Sequence, residues 1–595
     1  MSKIPKVLDV ETTGLNWTKC GIIGWGSYSK QDKDISFTKD IESEEKYEYI
    51  YHNGSFDVKV AHKNGIELPF DHDTILMASL LQYRNSVKEY YYNSYDEETK
   101  LKESLSLDAL AKKDLDIQNT WKIDWNKDTP TYDEIKEHCL MDCRVTYHLF
   151  EIYKERLINN GLWEYYVKLM MPFARMLVDV ECAGIRLDLA KLTKLKADYG
   201  ERLKVWEVVF RKTHKEVLDI VSRHLIRDKI AKVKPGKKPE TKQNRIDKIV
   251  KDGIEFNPRS NVHMNKLLEL KGLEIKDKNG KRTSSSKLLF RYRHDPVIGS
   301  ILEYKKIKKI HRDFLCKWDD LRIDDVLYTN FRLWATRTGR LSSAEPNLQQ
   351  VPKDKEIREL FIPREGKVFT VVDAKQMEAR LAAYFSKEPN LIKAFKDGTD
   401  VYGQIAIDLM GLDCLPNDVK LKYPKERQVG KQLFLASLYG QGSKSLHFIL
   451  SREHEIDITL SECRSYKRLF NKTYHKLISF GEKLKEEVMD KGYITNWFGR
   501  KVFIPKDKAY RAINYYIQGS SSELLSFVQL NIVKHLPEGA RILLLVHDEV
   551  VYEHKPEDTD KIVDIVKKYM IELVNSKYDM FMDMDISTGK DWSVK

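Results

Sequence analysis

Apolar runs along this chain repeatedly end on acids. Residues 368–372, VFTVV, are β-branched or aromatic and predict a buried strand. The run stops at Asp373, after which Met377, Leu381, Tyr384 and Phe385 recur at helical spacing. A strand thus brings one carboxylate to a rim and a helix leaves from there. An Asp in that place also serves as an ordinary helix cap, so its meaning depends on a partner elsewhere. RILLLVHDEVVYEH, residues 541–554, has apolar arms around His547, Asp548 and Glu549 and predicts a hairpin with acids at its tip. Near the N-terminus, KVLDVETTGL is strand-like. Its Asp9 and Glu11 stand two apart and share a face. YIYHNGSFDVKVA places Asn53 and Asp57 after another short apolar run. HCLMDCRVTYHLF sets His138 and Asp142 four apart on one face of a helix. In ERQVGKQLFLASLYG, Arg427, Lys431, Leu435 and Tyr439 recur every four residues along one helical stripe. Residues 157–186 read as helical, broken at Gly184, with a domain boundary near 159–161, and residues 191–210 read as a long amphipathic helix.

At 595 residues the chain holds several domains. Lys+Arg 102 against Asp+Glu 90 gives +12, which permits a polyanionic partner without demanding one. Residues 224–251, centred on KVKPGKKPETK, read by composition as a solvated loop; the alternative is an element laid against phosphates. Residues 303–314, EYKKIKKIHRDF, predict a helix with a cationic face. The seven cysteines are scattered, and the closest pair, Cys139 and Cys143, lacks the company of a structural zinc site. Reduced thiols in a cytoplasmic protein are expected. No signal core and no 18-residue apolar run occurs, which argues against secretion or a membrane partner.

Paired carboxylates repel and favour a cation between them. Asp9, Glu11, Asp57 and Asp142, on three elements of one 150-residue stretch, suggest a two-metal hydrolytic site. TRTGRLSSAEPNLQQVP, residues 336–352, is turn-rich and carries Arg337, Arg340 and several hydroxyl and amide donors suited to a nucleic-acid backbone. A helix with two cations toward one end and an aromatic toward the other, as in 426–440, suits a nucleotide.

The N-terminal segments resemble the three motifs of the DEDD 3′→5′ proofreading exonucleases. The match makes Asp9, Glu11, Asp57 and Asp142 its metal ligands. His138 stands where the branch joined to family A polymerases has Tyr, four residues before the last Asp; the histidine branch has its His five before. The resemblance implies that His138 positions or deprotonates water. FNPRSNVHMNKLLELKGL and KRTSSSKLL resemble the thumb-to-palm connection of family A DNA polymerases, and 336–352 resembles a signature of that family. By that likeness Thr336, Arg340 and Gln349 face primer and template. Motif A of the family, Asp-Tyr-Ser-Gln-Ile-Glu-Leu-Arg, is matched at 373–380 in Asp373, Gln376, Glu378 and Arg380, with Ala374 offering a backbone carbonyl to metal. Motif B is matched at 426–440. Leu435 stands where many relatives have Phe or Tyr and sense the 3′ position of the incoming sugar. Tyr402 replaces a phosphate-facing His. In YRAINYYIQGSSSELL, Asn514 and Gln518 match as DNA contacts; Arg511 is one residue out of place and takes no role. Motif C, His547-Asp548-Glu549, supplies the partner carboxylate for Asp373, and GRKVFIP and the closing GKDW also fit.

The resemblance implies an α/β exonuclease domain, an RNase H-like mixed sheet, at 1–158, followed by an α+β right-hand polymerase. Its parts are thumb and connection at 159–330, palm at 331–400, fingers at 401–495 and palm again at 496–595. It implies template-directed addition of dNTPs to a primer 3′ end, with two Mg2+ in each site, for which Mn2+ can substitute. Asp373, Asp548, Glu549 and Lys431 are the expected catalytic set. Arg427, Lys431, Tyr439, Gln376, Glu378, Leu435 and Tyr402 meet the dNTP. Thr336, Arg340, Gln349, Asn514, Gln518 and His547 meet DNA. Primer–template DNA is the expected partner of a monomer, with helicase-primase and single-strand binding protein as further replisome partners. The layout, with no room for a 5′-nuclease, resembles bacteriophage replicative enzymes. Three other readings stand beside it: a single-subunit RNA polymerase, against which Glu378 argues; a nuclease with a non-catalytic binding half; and a catalytically dead binding protein.

Overall fold

The computed structural model describes residues 3–81, 105–117, 121–123, 129–234, 239–273, 275–276 and 280–594. They form two compact units, Met1–Asp188 with Leu321–Leu446 and Thr459–Lys595, and Leu189–Asp320 with His447–Ile458.

The first unit opens with a five-stranded mixed sheet. Its central strand, Ile4–Thr12, runs antiparallel to Ile22–Ser29 and parallel to Tyr47–Tyr51. Asp9 and Glu11 face Gly26 and Gly24 across the antiparallel pair. The long helix Tyr132–Asn159 packs on this sheet. A capping box of Thr131 and Glu134 starts it, and Ile135, Cys139, Asp142, Cys143, Thr146, Phe150, Tyr153 and Leu157 form its buried stripe. It ends at Asn159, and Gly161 turns the chain with φ 66°.

The second sheet of this unit is four-stranded and antiparallel, in the order Arg541–Val546, Glu549–His554, Val368–Ala374, Met584–Gly589. The motif A strand therefore lies at its interior, next to the motif C hairpin. The helix Met377–Ser386 follows, but its cap is Gln376, in the left-handed region with φ 49° and making no side-chain cap bond. Asp373 is thus not the cap of that helix. Helices Val401–Met410 and Pro424–Leu438 pack closely, because Gly430 admits the backbone of Tyr402: a Cβ there would lie 2.7 Å from the Tyr402 carbonyl.

The second unit is helical. Leu189–Thr213, Lys215–Ala231, Asn261–Leu270 and Pro296–Lys308 enclose a core in which Trp206 stacks on Phe210 and Tyr304, each at 4.4 Å. The boundaries differ from the expected 159–330. Helix Met171–Ala183 shares the exonuclease core through Met171, Ala174 and Val178, and Ile185–Leu187 pairs with Phe361–Ile362 and Val326–Leu327, so residues up to 188 stay with the first unit. Within the expected fingers, 447–458 groups with the second unit. The solvated-loop reading of 224–251 is corrected. Helices Lys215–Ala231 and Pro239–Asp252 occupy most of it; the first is anchored by buried Leu218, Val221 and Leu225, of which Leu225 lies within 224–251. The centre of that segment, 235–238, lies outside the described residues. No helix among the described residues is long and apolar enough to cross a membrane.

Candidate functional site

Two acidic centres form in the first unit. At the N-terminal centre the four predicted acids converge. Asp9 and Glu11 project from one face of the central strand. Asp57 comes from helix Ser55–Lys63 and accepts a 2.9 Å bond from the Val10 amide, and Asp142 comes from the long helix. Burial is the first influence on Asp9, and the charges of Asp142 and Glu11 add to it, so its carboxyl is pushed up to about 7. Burial, with Asp9 beside it, also raises Asp57 well above the usual carboxylate range. Crowded, desolvated carboxylates that resist ionising together are what a divalent cation relieves, so the donor set fits a metal. His138 Nδ1 lies 2.8 Å from Glu11 Oε1. Burial pulls this imidazole down, but Glu11 and Asp142 outweigh it and its pKa is raised. Three neighbours were not legible in the sequence. Trp121 Nε1 and Lys122 Nζ both donate to Asp142, and the Cys139 thiol lies 3.2 Å from Asp9 Oδ2. A cavity of about 740 Å³ opens beside this centre, lined by Asp9, Asp57, Trp17, His52, Phe331 and Trp334 among others.

At the second centre Asp373 lies in register with Glu549 across the motif strands, and the Ala374 amide donates to the Asp548 carbonyl at 3.1 Å. The two acids come from segments far apart in sequence and meet because the strands pair. His547 makes the tight turn with φ 56°. Burial pushes the Asp548 carboxyl up to about 6; Arg340 opposes this and Glu378 adds to it. Here too the donors fit a cation. Glu378 joins three segments: Arg340 pairs with one oxygen, and the Tyr439 hydroxyl donates to the other at 3.4 Å. Tyr439 also bonds Gln518, from helix Ala512–Val533.

The structure gives several predicted residues protein partners. Glu549 is 4% exposed and is held by Arg358 at 3.1 Å and by the Trp592 indole at 2.7 Å. Its carboxylate is thus anchored by protein partners within the four-stranded sheet. Arg427 grips Asp400, which also caps helix Val401–Met410. Lys431 lies 5.9 Å and Arg427 5.5 Å from the centre of the Tyr402 ring, so both cations of the stripe flank a buried aromatic. Gln349 is buried and donates to the Leu545 carbonyl at 3.1 Å, bracing the motif C hairpin. Thr336 Oγ1 donates to the Arg340 carbonyl at 2.7 Å and closes the turn that aims Arg340. Leu435, Asn514 and Gln518 are half-buried, and His547 is exposed. Arg358, Asp400 and Trp121 had no local signal, since each is defined only by what folding brings to it, whereas Trp592 lies in the closing GKDW that the sequence did flag.

One centre lies on an acid-lined mixed sheet and the other on an antiparallel sheet that carries Asp373 beside the Asp548 turn. Residues 229–594 match the model of DNA polymerase family A, and residues 19–158 match a 3′-5′ exonuclease model. The chain belongs to DNA polymerase family A. It is 28% identical over 468 residues to "DNA polymerase I, thermostable" of Thermus thermophilus, covering 75% of this chain and 50% of that protein. It is 25% identical over 645 residues to DNA polymerase I of Synechocystis, covering 99% and 59%. The chain spans about half the length of the first of these curated relatives. A solved structure, the POL domain of Pol1 from M. smegmatis in complex with DNA primer-template and dNTP, superposes with a TM-score of 0.77 at 18% identity. It covers 100% of this chain and 96% of that one. That likeness speaks for the fold. The relatives named are bacterial, and the expected bacteriophage setting finds no support in them.

Proposed function

We propose that the chain is a template-directed DNA polymerase that extends a primer 3′ end with dNTPs and trims it with a 3′→5′ exonuclease. The observation that carries this reading is the pairing of the Asp373 strand with the Asp548 turn, beside the Arg340–Glu378–Tyr439 cluster. The M. smegmatis structure, which holds primer-template and dNTP, supports it. Asp373, Asp548 and the Ala374 carbonyl hold divalent cations in the polymerase centre, and Asp9, Glu11, Asp57 and Asp142 hold them in the exonuclease. When bound, two magnesium ions per centre screen phosphate charge and favour the deprotonated nucleophile. Lys431 is the cation of the helix that stabilises triphosphate charge, with Arg427 steadied by Asp400. Glu378 crowds the 2′ side of the sugar, and Arg340 and Tyr439 fix it there. Gln376, Leu435 and Tyr402 border the nucleotide, and Tyr439 stacks near the base. Thr336, Asn514, Gln518 and His547 line the path of the DNA. Gln349 and Glu549 are positioning residues. His138, tied to Glu11 by Nδ1, leaves Nε2 to orient the attacking water. On this reading the protein works as a monomer on primer–template DNA in the cytoplasm.

The test is a labelled primer–template with magnesium, with and without dNTPs. Extension with dNTPs and trimming without them are expected. Extension with NTPs as fast as with dNTPs would overturn the DNA-specific reading.

A further inference from the structure

We propose that Cys139 makes the exonuclease centre a site for thiophilic divalent cations such as zinc and cadmium, with its thiolate as a ligand beside Asp9 and Glu11. This rests on the exonuclease reading of that centre. The ligand atoms of Asp9, Glu11 and Cys139 all lie within 4.8 Å of one another. Cys139 Sγ stands 3.2 Å from Asp9 Oδ2. A tetrahedral zinc ion with its sulfur ligand at about 2.3 Å and its oxygen ligand at about 2.1 Å separates the two by roughly 3.6 Å. The donors therefore need to part by only a few tenths of an ångström. The approach depends on Gly26, which faces Asp9 across the sheet: a Cβ there would lie 2.6 Å from Cys139 Sγ and push the thiol away. Cys143 lies one turn further along the same helix, also close to Gly26, but it is not part of the converging group.

Hard magnesium takes oxygen ligands, so with it the thiol keeps its proton and donates to Asp9. With a soft cation the S–H bond breaks, the proton passes to solvent, and the sulfur lone pair forms the metal bond. No electrons change hands. The carboxylates then serve a tetrahedral ion in place of a magnesium pair, so trimming stops. Among the described residues the polymerase acids have no thiol in such a group. Cadmium should therefore arrest trimming at concentrations that leave extension running.

The experiment titrates the full chain with cadmium alone and follows the sulfur-to-cadmium charge-transfer absorption, with circular dichroism as the check on folding. One equivalent should produce a band that is missing in Cys139→Ala and retained in Cys143→Ala. Asp9→Asn should weaken cadmium binding by roughly tenfold or more, the scale expected when a metal site loses part of its shell. A band of wild-type size and affinity in Cys139→Ala overturns the proposal. So does unchanged affinity in Asp9→Asn, which would assign the metal to the cysteine pair alone. Magnesium-dependent trimming of a labelled single strand is measured on the same wild-type sample. Its absence counts against the exonuclease reading and leaves the cadmium result to stand or fall separately.

Discussion

Lys59 offers the clearest energetic test. It sits two residues after Asp57 on helix Ser55–Lys63, and its side chain is only 3% exposed. Its ammonium donates to Glu181 Oε2 at 2.7 Å and to Asn330 Oδ1 at 2.8 Å, while the Phe331 amide also bonds Glu181. One buried ion pair thus joins the exonuclease helix to helix Met171–Ala183 and to the strand Asn330–Arg332. Lys59→Met fills similar volume but leaves a carboxylate at 2% exposure without its cation. Stranding one member of a buried pair costs about 3–5 kcal/mol, and the orphaned Asn330 carbonyl adds about 1 kcal/mol. A fall in unfolding temperature on the order of 5 °C follows. Lys59→Met/Glu181→Leu removes the stranded charge, leaving the Phe331 amide unpaired at about 1–3 kcal/mol and the Asn330 carbonyl at about 1 kcal/mol, so it should recover part of the loss. The pH dependence is fixed in sign. Burial raises the Glu181 pKa and Lys59 opposes that rise, so removing Lys59 raises it further. A carboxyl raised on folding favours the fold below its unfolded pKa and loses that contribution as pH climbs through the folded value. The deficit of Lys59→Met should therefore shrink on acidification and grow toward alkaline pH. Calorimetry of the three proteins at several pH values measures this. A double variant no more stable than Lys59→Met, or a single variant with the same deficit at every pH, would refute the reasoning.

The two centres should separate genetically. Asp548→Asn is expected to abolish primer extension while trimming continues, and Asp142→Ala the reverse; loss of both activities in either variant, with folding intact, would show the centres to be one. Leu435→Tyr should increase incorporation of 2′,3′-dideoxynucleotides, seen as stronger termination in a sequencing ladder, and an unchanged ladder removes Leu435 from the sugar pocket. Glu523 is 3% exposed, and burial pushes its carboxyl up to about 7 against Arg500, Tyr165 and Asn496. Its contribution to stability is complete below its unfolded pKa and fades as pH rises through about 7. Glu523→Gln should therefore flatten the fall in unfolding temperature across that window, and a parallel pH profile would argue that the group is already ionised when folded.

The sequence by itself determined what depends on local spacing. The apolar run before Asp373, the arms around Asp548 and the stripe of the Arg427 helix are readable because a strand repeats every two residues and a helix every 3.6. Asp9 and Glu11 share a face for the same reason. The basic run 224–251 shows where that logic must be applied with care: its charge suggested a loop, but helix Lys215–Ala231, anchored by Leu218 and Val221 upstream and Leu225 within the run, extends into it, and helix Pro239–Asp252 follows. Only the tertiary structure decided what each acid meets. Asp373 lies beside the Asp548 turn because two strands pair, while Glu549, one residue further on, is claimed by Arg358 and Trp592. Arg427 keeps the spacing of a phosphate contact yet grips Asp400. Cys139, one of seven cysteines, reaches the Asp9 carboxylate because a glycine stands opposite on the sheet. Periodicity places a side chain on a face, but its charge state and partner depend on groups that only folding brings within a few ångströms, where burial removes the water that would otherwise screen them.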